Sequence, residues 1–405
     1  MKVIAVNKFY YMQGGTERYY FELKRLLREK GIEVIPFSMK DERNVSSDYS
    51  EFFVSNLDLQ GKLSFKQKLS LPARVVYSRE AKKNFTALIE KVKPDIIHLH
   101  NIAHHISPSI IPVAKKKGIP VVQTLHDFKL LCPSYLFIND GESCELCANG
   151  NFLHAVSSKC VKGSYLGSLI LAAEMFVHRN SGIYNLVDRF ICPSRFMIDK
   201  FKSYGLIRED KLAYIPNFVN VDDFKPSKEY SDYYLYFGRL SAEKGVDVLI
   251  NSVDPKWKER LLIAGDGLER KRLEEIKKDN NLTNVEFLGN KSGDELKGII
   301  RNSIFTIIPS RCYDNSPLAL FESFACGKAV IGSRIGGIPE LIDEEKDGLL
   351  FESQNSNMLR EKIKYLLDHK ELAVSYGMAG RTKVEKRFNS DLHIERIVSL
   401  YNNLV

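Results

Sequence analysis

IIPSRCYDNSPLALFESFACGKAVIGSRIGGIPEL, residues 307–341, decides how the chain is read. An apolar run, Phe305 to Ile308, stops at Pro309. A polar loop leads through Asn315-Ser316-Pro317 into helically spaced Leu318, Leu320, Phe321 and Phe324. Pro317 suits the first turn of that helix, and Asp314, Asn315 or Ser316 is expected to cap it. Gly327 suits its end. A second short strand, Ala329 to Gly332, then runs to Gly336-Gly337. Strand, helix and strand in this order form a βαβ unit of a parallel sheet. Two acids stand eight positions apart, Asp314 in the loop and Glu322 inside the helix. A helix N-terminus offers free N–H groups and partial positive charge to an anion. The unit therefore suits a ligand with a phosphate and hydroxyls; an ordinary βαβ element of a large α/β protein is the plainer reading.

The same alternation extends outward on both sides. Val3 to Val6, Ile32 to Phe37, Asp95 to His100, Pro120 to Leu125 and Arg189 to Cys192 are short continuous apolar runs, as strands buried on both faces require. Helical spacing separates them, for example Tyr19, Tyr20, Leu23, Leu26 and Leu27. Val219 to Lys228 is polar and carries a proline, and reads as a linker. Strands then resume at Tyr233–Phe237, Leu261–Ala264 and Val285–Leu288. The expected architecture is α/β, with two doubly wound parallel sheets facing across a cleft. The expected domains are residues 1–222, with a cysteine-bearing excursion at about 132–160, and residues 223–386. A helical tail, 387–405, is expected to pack back on the first domain.

With 44% hydrophobic and 27% charged residues, 405 positions supply two packed cores. Met1 to Val6 reads as a strand and not as a secretory leader. The most apolar segment, Tyr165 to Val177, is too short to span a bilayer and contains Glu174. The expected location is cytoplasmic, with peripheral attachment at the inner face of the cell membrane as an option. Residues 1–222 carry 31 Lys and Arg against 22 Asp and Glu, an excess of 9; the remainder carries 28 against 29. The basic excess thus sits wholly in the first half and suits an anionic partner or surface. A basic amphipathic stretch (Lys62, Phe65, Lys66, Lys68, Leu71, Arg74) is either a membrane-surface helix or one packed on its own domain.

Four of the seven cysteines lie close in sequence: Cys132, Cys144, Cys147 and Cys160. Their spacing suits a structural zinc site better than disulfides in a reducing compartment. The alternative is a set of reduced thiols in a loop.

Polar residues recur directly after the strands: Gly14-Gly15, His100-Asn101, His126-Asp127, Gly238-Arg239 with Lys244, Gly265-Asp266, Gly289 and the Asp314–Glu322 unit. Parallel sheets bind ligands at that edge. Arg239 can grip a diphosphate with two bonds and Lys244 adds a point charge. Glu322 can accept from two vicinal hydroxyls, as a ribose presents. No DxD-like acidic pair accompanies them, so the cations are expected to neutralise the diphosphate without a metal.

Taken together the motifs QGGTER (13–18), KPDIIHLHN (93–101), TLHDFKLLCP (124–133), ICPSRFMID (191–199), IPNFVNVDDF (215–224), YFGRLSAEKGVDVLI (236–250), IAGDG (263–267), VEFLG (285–289) and the 309–342 region resemble the family 4 glycosyltransferases, retaining enzymes of the GT-B fold. The resemblance covers nearly the whole chain. It implies a nucleotide-sugar donor with uridine or guanosine diphosphate, bound by Gly14, Gly15, Arg239, Lys244, Gly265, Phe287, Leu288, Ser316, Pro317, Leu318 and Glu322. Glu322 is expected at the ribose, and the base near Phe287 and Leu288. His126, Asp314, Arg239 and Lys244 are expected at the reaction centre. His100, Asn101, His126 and Asp127 are expected to meet the acceptor. The family's Glu-x7-Glu pair appears as Asp314-x7-Glu322, one methylene shorter at the sugar end. Pro317 stands where the family often has Gly, which removes one N–H.

The implied activity is retaining transfer of a hexosyl or N-acetylhexosaminyl group to a glycan. The acceptor is expected to be linked to a lipid diphosphate, in cell-surface polysaccharide synthesis. No cofactor and no nucleic-acid partner are expected. Other readings on this fold are a sugar-nucleotide-binding subunit with weak catalysis and a nucleotide-sugar epimerase.

Overall fold

The computed structural model describes residues 1–56 and 73–405. Of the basic amphipathic stretch, Lys62, Phe65, Lys66, Lys68 and Leu71 lie outside these residues, and Arg74 lies inside.

Two six-stranded sheets carry the fold. The first contains β1 (Lys2–Val6), β2 (Glu33–Phe37), β3 (Ile96–Leu99), β4 (Val121–Thr124), β7 (Arg189–Cys192) and β8 (Leu212–Tyr214), in the order β2-β1-β3-β4-β7-β8. Between β4 and β7 lies a small antiparallel hairpin, β5 (Ile138–Asn139) and β6 (Glu142–Ser143). The second sheet contains β9 (Tyr233–Phe237), β10 (Arg260–Ala264), β11 (Val285–Gly289), β12 (Phe305–Ile308), β13 (Ala329–Ser333) and β14 (Gly348–Phe351). Its order is β11-β10-β9-β12-β13-β14. All pairings within the two sheets are parallel. The chain is thus α/β, with two Rossmann-like halves.

Side-chain alternation explains why both faces of each sheet are apolar. In the first sheet Ile4, Val6, Ile97 and Val121 meet Phe37, Phe85 and Leu88 on one side. Val3, Ala5, Ile96 and Val122 meet Tyr20, Leu23, Leu27, Ile394 and Tyr401 on the other. In the second, Tyr234, Leu261, Ile263, Phe305 and Ile331 pack against Leu249, Leu359 and Ile363. Leu235, Leu262, Ile308 and Val330 pack against Leu320, Phe321 and Phe324.

Two helices close the chain, on different halves. Lys370–Arg387 lies on the second half, where Arg381 Nη1 donates to the carbonyls of Phe224 (2.9 Å) and Ala325 (2.6 Å). The helix stops at Phe388, which is buried in the second core. Asn389 is extended and its side chain caps a new helix, Ser390–Asn402, through Leu392 N at 2.8 Å. That last helix covers the first sheet: Tyr401 Oη lies 2.5 Å from His98 Nδ1, and His393 Nε2 lies 3.0 Å from Tyr19 Oη. A bridge between Val219 and Asn389 places both interdomain crossings side by side.

Candidate active site

The strand ends of the two sheets face each other, and three contacts measure the gap. The Gly14-Gly15 turn follows β1 and opens the helix Gly15–Glu29. A Cβ built on Gly14 would lie 3.0 Å from Arg239 Nη2, and one on Gly15 would lie 3.8 Å from Leu318 Cδ1. The turn's backbone thus lies close to the second domain's guanidinium and helix start; a side chain on Gly14 would crowd the end of Arg239, and one on Gly15 would make only ordinary contact. One turn further, Arg18 Nη1 meets Glu322 Oε1 at 2.5 Å. Glu322 is 5% exposed. Burial raises its pKa, and Arg18 opposes that rise. Arg18 belongs to the QGGTER motif, but its sequence gives no hint that its partner is Glu322.

On the second domain, Lys244 Nζ donates to Asp314 Oδ2 at 2.6 Å, and Ser310 Oγ donates to the same oxygen at 3.1 Å. Burial works against the Lys244 ammonium, yet Asp314 outweighs it and the pKa is raised. The two residues expected to share diphosphate and sugar contacts are thus already joined to each other. Lys244 keeps further N–H groups, since an ammonium has three donors.

The helix Leu318–Ala325 begins without the side-chain cap expected from Asp314, Asn315 or Ser316. Pro317 is its extended N-cap residue (φ −65°, ψ 124°), not part of its first turn. Backbone contacts hold the loop instead. Asn217 Nδ2 donates to Ser316 O at 2.8 Å, and Gly337 N donates to Asp314 O at 2.8 Å. A Cβ on Gly337 would sit 1.9 Å from Asn315 O, so glycine is needed there. The consequence is chemical: the buried Ser316 Oγ and Asn315 Oδ1 have no hydrogen-bond partner among the described residues. Buried polar atoms without partners are uncommon, and at a helix start facing a cleft they suit a polar ligand.

The first domain contributes a column of imidazoles. His98 stacks on His100 (4.4 Å between centroids), and His100 stacks on His126 (5.3 Å). His100 Nδ1 and His126 Nε2 are 3.0 Å apart. His100 is 1% exposed, so it supports His126 from beneath and does not itself face the cleft. Burial pushes the His126 pKa down to about 3, which makes the ring neutral at pH 7. Asn101 N is held by Asn7 Oδ1 at 3.2 Å, and its Nδ2 reaches Thr16 Oγ1 at 3.4 Å. Asp127 Oδ1 accepts from Lys129 N at 2.9 Å, and burial raises its pKa. His126 O accepts from Asn315 Nδ2 at 3.5 Å, which ties the column to the donor-side loop.

At the far side of the second sheet, Gly265 approaches so closely that a Cβ would lie 1.9 Å from Gly238 O. Phe287 and Leu288 end β11 beside it, partly buried against the two cores of that domain.

The zinc expectation is not met. Among the described residues no three His, Cys, Asp or Glu side chains form a group that could hold a metal ion. Cys132 Sγ lies 3.2 Å from Ser134 Oγ, and Cys160 Sγ lies 4.0 Å from Asn139 Oδ1. Cys147 is buried with Phe152, Ala155, Ala172 and Met175, and burial raises its thiol pKa to about 12. Cys147 thus behaves as a small apolar side chain. The excursion has a different contact: Glu145, inside the Cys144–Cys147 segment, accepts from Tyr313 Oη at 2.5 Å and from Lys200 Nζ at 2.6 Å.

The glycosyltransferase family 4 profile matches residues 13–223, and that of glycosyl transferases group 1 matches residues 220–383. The chain belongs to glycosyltransferase family 4. An uncharacterized glycosyltransferase of Methanocaldococcus jannaschii is 25% identical over all of this chain and 99% of its own length. The N-acetyl-alpha-D-glucosaminyl L-malate synthase of Bacillus anthracis is 27% identical over 76% of this chain and 74% of its own. Anabaena HepE, solved in complex with UDP-glucose, superposes over the full length of both chains with a TM-score of 0.70 and 16% identity. That likeness shows the GT-B fold. In this family 4 glycosyltransferase no described helix is long and apolar enough to cross a membrane.

Proposed function

We propose that this glycosyltransferase moves a hexosyl or N-acetylhexosaminyl group from a uridine or guanosine diphosphate sugar to a glycan acceptor, with retention at the anomeric carbon. Residues 223–386 serve as the donor half and residues 1–222 as the acceptor half. The observation that carries this reading is the cross-cleft contact set: Gly14 against Arg239, Gly15 against Leu318 and Arg18 on Glu322. It brings an anion-binding turn, two cations and a buried carboxylate to one gap.

In this reading Glu322 exchanges Arg18 for the ribose hydroxyls, and the unpartnered Ser316 Oγ receives a donor oxygen. Arg239 and a free N–H of Lys244 carry the diphosphate charge. As the bond from the anomeric carbon to the diphosphate breaks, these cations stabilise the leaving oxygen. The acceptor hydroxyl attacks from the same face, and its proton passes to the departing phosphate oxygen. Asp314, held by Lys244, faces the sugar together with the neutral His126. No side chain is assigned as a nucleophile, and no metal is needed to balance the diphosphate charge. The basic first half favours an acceptor on a lipid diphosphate, as cell-surface polysaccharide synthesis supplies. Placement at the inner face of the cell membrane follows from that acceptor.

A thermal-shift panel of uridine and guanosine diphosphate sugars tests the donor. Transfer to a lipid-diphosphate glycan, followed by NMR of the new anomeric centre, tests the rest. An inverted product rejects retention, and no shift with any donor rejects the reading.

A further inference from the structure

The helix Tyr165–Asn180 is apolar on both faces, which a surface helix of a soluble domain is not. Its inner face is buried through Ser168, Ala172, Met175 and His178, and it also carries Glu174. The Glu174 carboxylate is fully taken, by Lys129 Nζ at 2.9 Å and by His104 Nδ1 at 3.1 Å. The outer face presents Tyr165, Leu166, Leu169, Phe176 and Val177, between 43% and 67% exposed. Leu153, on the helix Leu153–Ser157 packed alongside, is 69% exposed. A continuous stripe of this kind marks an interaction surface.

Within the stripe's own segment the exposed charge has one sign. From Leu146 to Val187 the only carboxylate is Glu174, which is buried, whereas Lys159, Lys162 and Arg179 are cationic. Lys159 Nζ lies 4.5 Å from the Tyr165 ring centre, at the start of the helix. At the other end His178 Nε2 reaches Val76 O at 2.7 Å, and the adjacent Tyr77 ring lies 5.7 Å from Lys82 Nζ. Cations seated on aromatic rings at the rim of an apolar face suit an interface with apolar chains inside and anionic groups outside. A second copy of the chain fits less well, because the segment offers no exposed carboxylate to receive these cations.

We propose that this face docks on an anionic lipid bilayer, with Tyr165, Leu166, Leu169, Phe176 and Val177 entering the acyl boundary and Lys159 and Lys162 at the headgroups. The proposal deepens the membrane placement of the transferase reading by naming the face that docks, and docking is measured with no sugar present, so its failure is distinguishable from failure of transfer. The test is flotation of the full chain with vesicles of phosphatidylcholine alone and of phosphatidylcholine mixed with phosphatidylglycerol. Expected is flotation with the anionic vesicles, weaker with the neutral ones, reduced at least about tenfold by Leu169→Glu with Phe176→Glu. A thermal melt confirms that this variant folds. If it does not, Lys159→Glu with Lys162→Glu carries the test, and the preference for anionic vesicles should vanish. Wild-type protein that stays unbound on both vesicles overturns the proposal. So does a lipid-free dimer that Leu169→Glu with Phe176→Glu converts to monomer, which assigns the face to self-association.

Discussion

Arg18 of the first domain and Glu322 of the second form an ion pair at 2.5 Å across the cleft. The carboxylate is buried and the guanidinium is nearly half exposed, so the pair is unequal. Glu322 needs a partner more than Arg18 does, because a buried carboxylate without one is costly. A donor's ribose therefore replaces a ligand already present rather than filling a vacant position.

Replacing Glu322 by Gln keeps the shape and removes the charge. Hydrogen bonds to a charged acceptor contribute about 1.5–3 kcal/mol, so affinity for the nucleotide sugar should fall roughly 10- to 150-fold. Calorimetric titration of wild type and variant measures this. Unchanged affinity would remove Glu322 from the donor site.

Arg239→Ala should leave the fold intact and lower turnover by about 2.7–4 kcal/mol, the scale seen when one charge-stabilising donor is lost. The loss should appear mainly in kcat, because the charge on the leaving diphosphate grows toward the transition state. Steady-state kinetics separate kcat from KM. Near-wild-type kcat rejects the role. Lys244→Ala should be at least as damaging, since it also strips Asp314 of its 2.6 Å partner.

Tyr313 sits next to Asp314 but belongs to the first domain's packing. Its ring lies 4.8 Å from Phe196 and 5.8 Å from Phe137, and its hydroxyl donates to Glu145. Tyr313→Phe keeps the ring and removes the bond; Glu145→Gln weakens its acceptor. A double-mutant cycle on donor KM and on thermal stability should give a coupling of about 1 kcal/mol or more. Strictly additive effects would mean that the excursion does not position the donor loop.

Stability should fall in mild acid. Burial holds His98, His126 and His393 near pKa 3, against an ordinary value of 6.5. Below about pH 6.5 the unfolded chain takes up protons that the folded chain refuses. Each such histidine then costs about 1.4 kcal/mol per pH unit, and nothing above that range. Melting temperature should be flat from pH 7 to 8 and drop steeply toward pH 5. A flat profile down to pH 5 would mean that these rings ionise in the folded protein.

Both sheets were legible because parallel strands buried on two faces leave short continuous apolar runs such as Val3 to Val6 and Phe305 to Ile308. Strand ends were legible too, and with them most of the cleft. Three things were not. His100 is one: the last residue of a buried strand and the first of a loop look alike in sequence, and this ring is 1% exposed and stacked beneath His126. The expected cap from Asp314, Asn315 or Ser316 is absent because tertiary contacts from Asn217 and Gly337 fix the loop in place of local ones. Neither the Arg18–Glu322 pair nor the Tyr313–Glu145 bond is legible in sequence, because each joins residues of different domains and no local spacing encodes that relation.

The last helix has a practical consequence for anyone dividing the molecule. Tyr401 and His393 bond to His98 and Tyr19, so one face of the first sheet is covered by the helix Ser390–Asn402. A fragment cut at the linker would lay bare the apolar residues that Ile394, Ile397 and Tyr401 cover. A working half-molecule thus calls for residues 390–402 grafted on or supplied in trans.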